Sequence, residues 1–356
     1  MRPGSIRRLA LGLTTAAALT GCGAAPSGPT HPGPTSSPSI SGKAQCRSVT
    51  AARNDSTVTP SGSPVAVYSL PVPSSPTGII LGRDGAVWFA ETEGNKVGRL
   101  TSTGALSEWP VPGVGPTFLG VGPDGNIWYP EQSSGTIGHI SLDGVMGECR
   151  LPDPASGPES VAAGPDGNLW ITENSSGRIA RMTVAGAVTE FTLPTTGSKP
   201  GEITTGPDGA MWFTEFGAGR IGRLTTAGTL SEYTLPDAQA EPLSISSGPG
   251  GLWFTEFGGG RIGRITTAGA VTEWPVGASN AHDPDPRPQG VLAGPDGNIW
   301  FCESGANTIG RMTVAGAVTT VTAVGQWPDH LVFGPDGSIW FTEYNGGAVA
   351  HFSSNA

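Results

Sequence analysis

The sequence predicts an all-β protein, a seven-bladed β-propeller with four antiparallel strands per blade, closed by an N-terminal strand in the last blade. Three observations predict it: a composition built for turns, a motif that recurs seven times, and a stray copy of the outermost strand near the N-terminus. The 356 residues include 56 Gly and 33 Pro, and only 13% are charged. Long helices tolerate neither Gly nor Pro, whereas tight hairpin turns use both. Ten Trp and eleven Phe give the chain enough apolar bulk to fold.

The recurring motif is Trp-aromatic-x-Glu or a near variant. It ends at Glu91, Glu131, Glu173, Glu215, Glu256, Glu303 and Glu343, and its Trp residues are spaced by 40, 42, 42, 41, 47 and 40. Each copy lies within the same four strand segments, which in the fourth repeat run 201–205, 210–215, 220–225 and 229–235. Gly206-Pro207-Asp208-Gly209 joins the first two; Pro presets φ, and Asp-Gly supplies the left-handed positions of a hairpin turn. Four short strands per unit of about 40 residues is the signature of a propeller blade. The seventh unit stops after its third strand at 348–352. Its missing strand is found at Val65–Pro71, which matches Val188–Pro194, so an N-terminal strand closes the ring and removes free sheet edges.

The propeller is expected over 63–356, behind an export signal (1–22) and a disordered spacer (23–62). Arg2, Arg7 and Arg8 precede an apolar run, Leu9 to Leu19, too short to span a bilayer. Leu19-Thr20-Gly21-Cys22 resembles a lipobox, which makes Cys22 a lipidation site; an ordinary signal peptide and a twin-arginine signal are the alternatives. The spacer is rich in Pro, Ser, Gly and Thr and buries too little to order itself. The expectation is an exported, extracytoplasmic monomer, held to the membrane by the lipid anchor only. In that oxidising compartment Cys302, inside a strand motif, reads as a buried thiol, leaving Cys46 and Cys149 as the pair able to form a disulfide. A net charge of −10, with 19 basic residues spread through the repeats, excludes nucleic acid as a partner.

Strand order puts the Asp-Gly turns on one rim and the seven Glu residues on the other, near the starts of the innermost strands. Any site belongs on the second rim. A Glu in every blade reads as structural, accepting backbone N–H groups of the following turn. The recurrent Arg99, Arg181, Arg223, Arg264 and Arg311 read as inter-blade salt-bridge partners, with His139 and His351 in the same place. Glu159 and Glu202 stand at the starts of inner strands, as candidates to line the channel.

Units such as Pro200-Gly201-Glu202-Ile203, Gly206-Pro207-Asp208-Gly209, Trp212-Phe213-Thr214-Glu215 and Arg220-Ile221-Gly222-Arg223 resemble the streptogramin B lyase (virginiamycin B lyase) family from about Ser63 to Phe352. The resemblance implies a seven-bladed propeller and a Mg²⁺-assisted carbon–oxygen lyase that opens a cyclic depsipeptide at its ester by elimination. Such a reaction needs a base beside the carbonyl and a metal to stabilise the enolate. The family supplies His directly after the Pro that opens the innermost strand in the last two blades, a Glu before the final such Pro, and the final motif Glu.

Carried over, the catalytic positions fall on Gln289, Asp329 with His330 one place late, and Glu343; Trp327 replaces the Glu before Pro328. Strict strand alternation turns His330 to the opposite face from Asp329. The metal positions fall on Glu303, Glu343 and Asp329. The long connection Asn280–Arg287 adds His282, Asp283 and Asp285 to the same rim, where oxygen donors suit Mg²⁺ or Ca²⁺, or make a solvated loop. Three functions stay open: a lyase-like enzyme, a non-catalytic binding propeller for a small molecule or cyclic peptide, and a scaffold. A propeller's central mouth suits each of them.

Overall fold

The computed structural model describes residues 40–62, 64–72, 74–277, 286–322 and 325–353. Cys22, His282, Asp283 and Asp285 lie outside them. The described residues form seven antiparallel sheets and no helix. In the fourth blade the order from centre to edge is Pro200–Thr205, Met211–Glu215, Arg220–Leu224 and Leu230–Thr234. In the seventh it is Pro328–Phe333, Ile339–Glu343, Ala348–Phe352 and Ala66–Ser69, the predicted closing strand.

The local rule behind each blade is visible in its turns. Asp208 Oδ1 accepts the indole N–H of Trp212 at 3.0 Å, and the Asp–Trp pair recurs at 84/88, 124/128, 166/170 and 296/300. Gly206 opens that turn because a Cβ there would lie 2.4 Å from the Trp212 ring. The recurrent Arg then closes the same unit. Arg99, Arg223 and Arg311 pair with Asp84, Asp208 and Asp296 of their own blades at 2.6, 2.7 and 3.4 Å. Each also lies over the blade's Trp, 5.5–5.9 Å from the ring centroid. The inter-blade reading of these arginines is therefore corrected to an intra-blade one. Arg181 alone of them reaches a neighbouring blade among these contacts, donating to the Thr226 carbonyl at 3.0 Å.

Blades adhere through apolar layers and through one repeated hydrogen bond. Trp170 and Phe191 of blade 3 pack with Ile203, Met211 and Phe213 of blade 4 in one buried cluster. The Thr before the motif Glu donates to a carbonyl of the next blade's innermost strand: Thr172 to Gly201, Thr214 to Leu243, and Thr342 to Thr77 across the closure.

The expected export signal and the spacer up to residue 39 lie outside the described residues, and from residue 40 on the chain departs from the expected disorder. Ile40–Lys43, Gln45–Val49 and Asn54–Thr57 add as fifth, outermost strands to blades 3, 2 and 1. They form a strap around the outside of the ring before the chain enters blade 7. Composition hides such strands, because an outer edge needs backbone partners rather than buried side chains, and Gln45–Val49 is largely exposed. Besides these ladders the strap is tied covalently: Cys46 and Cys149 form a disulfide, and beside it Arg47 donates to Glu148 at 2.6 Å. Cys302 is a buried free thiol.

Candidate functional site

All seven motif Glu residues are buried. Blades 1–5 place a second Glu on the outermost regular strand beside the first: 91/108, 131/148, 173/190, 215/232 and 256/273. A cation accompanies each pair. Lys96, Arg178 and Arg220 bond Glu108, Glu190 and Glu232 at 2.8, 3.0 and 3.0 Å, and Arg261 bonds Glu256 at 3.3 Å. Blade 2 has Thr136 at this position, and Arg47 of the strap supplies the charge instead.

Burial first, then the companion carboxylate, pushes Glu91 up to about 9, Glu173 to about 7, Glu215 to about 8 and Glu256 to about 8. The expected backbone N–H partners give way largely to side chains, such as Ser134 for Glu131 and Ser176 for Glu173. Glu303 accepts the Thr308 hydroxyl at 2.6 Å and faces its own blade. Glu343 stands apart: Val67 takes the companion position and Ala348 the cation position. Burial alone raises Glu343 to about 7, and its Oε1 has no partner among the described residues.

The rim itself is seven-fold. The residue after each motif Glu donates its N–H to the carbonyl of the residue before the next-inner Pro, as in Phe216 to Lys199, Phe257 to Glu241 and Tyr344 to Trp327. Those pre-proline residues all have positive φ, including Lys199 (46°), Glu241 (47°), Arg287 (44°) and Trp327 (62°). Bulky side chains in that conformation are strained and are held there by the surrounding ring. Arg287 lies between the Phe257 and Trp327 rings, 5.9 Å from each centroid.

Inside this rim Gln289, Asp329, His330 and Glu202 come together. The innermost strands of blades 6 and 7 are bulged between Pro288 and Val291 and between Pro328 and Leu331. A bulge suspends side-chain alternation. Asp329 and His330 therefore face the same way, and His330 Nδ1 meets Asp329 Oδ2 at 3.0 Å. The expectation that His330 turns away from the site is corrected by this bulge.

From blade 4, across the channel, Glu202 Oε1 makes ion-pair contact with His330 Nε2. Glu202 Oε2 in turn accepts from the Ser244 hydroxyl at 2.6 Å and the Ile245 N–H at 3.1 Å. The Gln289 amide, oriented by its neighbours, donates to Asp329 Oδ1 at 2.8 Å and accepts from Trp327 Nε1 at 2.6 Å. Phe118 of blade 2 tilts against the His330 ring at 4.6 Å. Burial alone would lower the His330 pKa, but the Glu202 and Asp329 carboxylates override it and push it up to about 10. The imidazole is thus a proton-loaded cation at neutral pH. Glu159 stays apart, accepting from Gln132 on the blade 2 side. Ser244 and Phe118 escaped the sequence reading, because they enter the network from other blades and carry no motif.

These residues do not fit a bound Mg²⁺. Among the described residues no three His, Cys, Asp or Glu side chains are arranged to hold a metal ion. The proposed trio separates: Glu303 serves Thr308, Asp329 serves His330 and Gln289, and Glu343 remains alone. A cation beside Asp329 would also meet the charged His330.

Seven blades closed into a ring, with one polar, strained rim, define the class of the protein as a seven-bladed β-propeller. The particular family follows from comparison. The virginiamycin B lyase family model matches residues 49–285 and 278–356. The chain belongs to that family. A streptogramin B lyase structure is 38% identical, covers 81% of this chain and 96% of its own, and superposes with a TM-score of 0.76. A catalytically inactive histidine-to-alanine variant of virginiamycin B lyase from Staphylococcus aureus, with quinupristin, is 34% identical over 81% and 98%, with a TM-score of 0.75. No curated protein matches the chain.

Proposed function

We propose that this protein is an exported, lipid-anchored member of the family that binds a small-molecule or cyclic peptide ligand at its mouth without opening an ester. One observation carries the reading: the places where the resemblance puts two histidine bases hold Gln289 and Asp329, bonded to each other. Elimination needs an unprotonated base within reach of a proton beside a carbonyl. An amide is no base. Asp329 has both oxygens engaged. His330 has a nitrogen facing each of two carboxylates and carries its proton at neutral pH. Glu343 is kept but buried, 2% exposed. A single histidine-to-alanine change makes the S. aureus relative catalytically inactive, and this chain departs at both histidine positions.

The test is incubation of the purified domain with a streptogramin B, with and without Mg²⁺, followed by chromatography and fragmentation to separate the cyclic compound from its linear isomer. The cyclic compound should be recovered intact. Linear product formed over many turnovers would overturn the reading. Export through lipidation is tested separately: Cys22→Ala should move the protein from the membrane fraction to the soluble one or leave its signal uncleaved, and unchanged membrane association would refute the anchor.

A further inference from the structure

We propose that His330, clasped between Glu202 and Asp329, joins the walls of the mouth through protein side chains alone, so that the mouth of this propeller is held together without a metal. The inference rests on the reading above that this mouth is the ligand site, and it concerns how the mouth is held together rather than what it turns over. Its basis is an accounting of oxygens. The four carboxylate oxygens of Glu202 and Asp329 each face a protein group, three of them through hydrogen bonds and Glu202 Oε1 through an ion-pair contact with His330 Nε2 that lacks hydrogen-bond geometry. Glu202 Oε1 meets His330 Nε2, and Glu202 Oε2 accepts from Ser244 and Ile245. Asp329 Oδ2 meets His330 Nδ1, and Asp329 Oδ1 accepts from Gln289. A hard cation takes six or more oxygens and tolerates few that are already spent on protein donors.

The space is spent as well. The Phe118 ring lies against one side of His330. At Gly290 a Cβ would fall 2.8 Å from the His330 Cα, so blade 6 abuts the strand directly. The chain Trp327–Gln289–Asp329–His330–Glu202–Ser244 therefore crosses the channel as a strut, tying blades 4 and 5 to blades 6 and 7. A divalent ion in such a place would join the walls through its ligands; here one imidazole does so. His330 is on this account a positioning residue that holds the mouth's shape and touches no ligand.

The experiment has two parts, both on the whole folded domain. In the first, Mn²⁺ binding is measured by electron paramagnetic resonance at millimolar metal, and melting is compared in EDTA and in excess Mg²⁺. No bound Mn²⁺ and an unmoved Tm are expected. One tightly bound equivalent that disappears in Asp329→Asn would overturn the proposal. In the second, Glu202→Gln, His330→Gln and the double variant are melted. Breaking one member of a buried ion pair should lower Tm by about 5–10 °C in each single variant, and the double variant should lose far less than the sum. Additive losses would show that the two residues act apart and would sink the strut. Ester opening by the native protein would refute the proposed function and leave both of these results standing.

Discussion

Deletion of residues 1–73 should abolish cooperative unfolding, whereas deletion of residues 1–62 should leave a folded ring of lower stability. The first removes Ala66–Ser69, the outer strand of blade 7, and with it Tyr68, buried against Trp340 with ring centroids 5.6 Å apart. It leaves the edge of Ala348–Phe352 open and takes away the one strand by which the start of the chain is knitted to its end. Of the described structure, the second removes the strap and the two backbone hydrogen bonds between Ser61 and Val67, and keeps the closing strand itself. That strap is far from inert, because the Cys46–Cys149 link closes a 103-residue separation, and a loop of that size is worth roughly 4–5 kcal/mol in the chain-entropy account. Loss of three outer strands and Arg47 adds to the deficit. Thermal and urea melts of the two truncations decide the matter. Equal midpoints would refute closure by this strand.

Stability should also fall steeply as the solution becomes alkaline. Glu91, Glu173, Glu215, Glu256 and Glu343 are held up at about 9, 7, 8, 8 and 7 in the fold, against an ordinary value near 4.5. A group raised in the folded state binds its proton there while the unfolded chain has released it. Its stabilising share is complete below about pH 4.5 and is lost as pH climbs through the folded value, at up to about 1.4 kcal/mol per pH unit for each group. His330, raised to about 10, acts in the same direction. The window runs from about pH 5 to about pH 9, and Tm should drop across it by ten degrees or more, relaxation of the blades making the full sum unreachable. Glu215→Gln, which keeps the shape and removes one proton from the count, should make the slope shallower. A melting temperature that is level or rises from about pH 6 to about pH 9 would contradict the assignment of neutral, proton-sharing carboxylates.

Much of this architecture is legible in the sequence because each blade states its own rule within about 40 residues. The Trp, the Asp four places before it and the Arg that stacks on it are all local, and so is the match of Val65–Pro71 to an outer strand. What stayed hidden is non-local or depends on backbone irregularity. The strap could not be read from composition, since its strands pair edge to edge and bury little. Its one sequence clue was Thr136, standing where four other blades have Lys or Arg, a gap that Arg47 fills by bonding Glu148, 101 residues away in the chain. The mouth was hidden for a different reason. Asp329 and His330 share a face only because the strand bulges after Pro328, and nothing in an alternating pattern announces a bulge. Glu202, Ser244, Gln289 and His330 come from four different blades, so no spacing rule could have assembled them. The neighbouring Glu pairs do leave a trace in the sequence, since in blades 1–5 each outer Glu follows its motif Glu by 17 residues.

The most direct measurement of the central claim compares the native domain with Gln289→His/Trp327→Glu/Asp329→His in one assay, each incubated with a streptogramin B and Mg²⁺ and read by chromatographic separation of cyclic from linear compound. The account predicts intact cyclic compound with the native protein and linear isomer only with the variant, because the three substitutions return two imidazole bases and a carboxylate and release the strut's hold on position 329. Sustained opening of the cyclic compound by the native protein would contradict it.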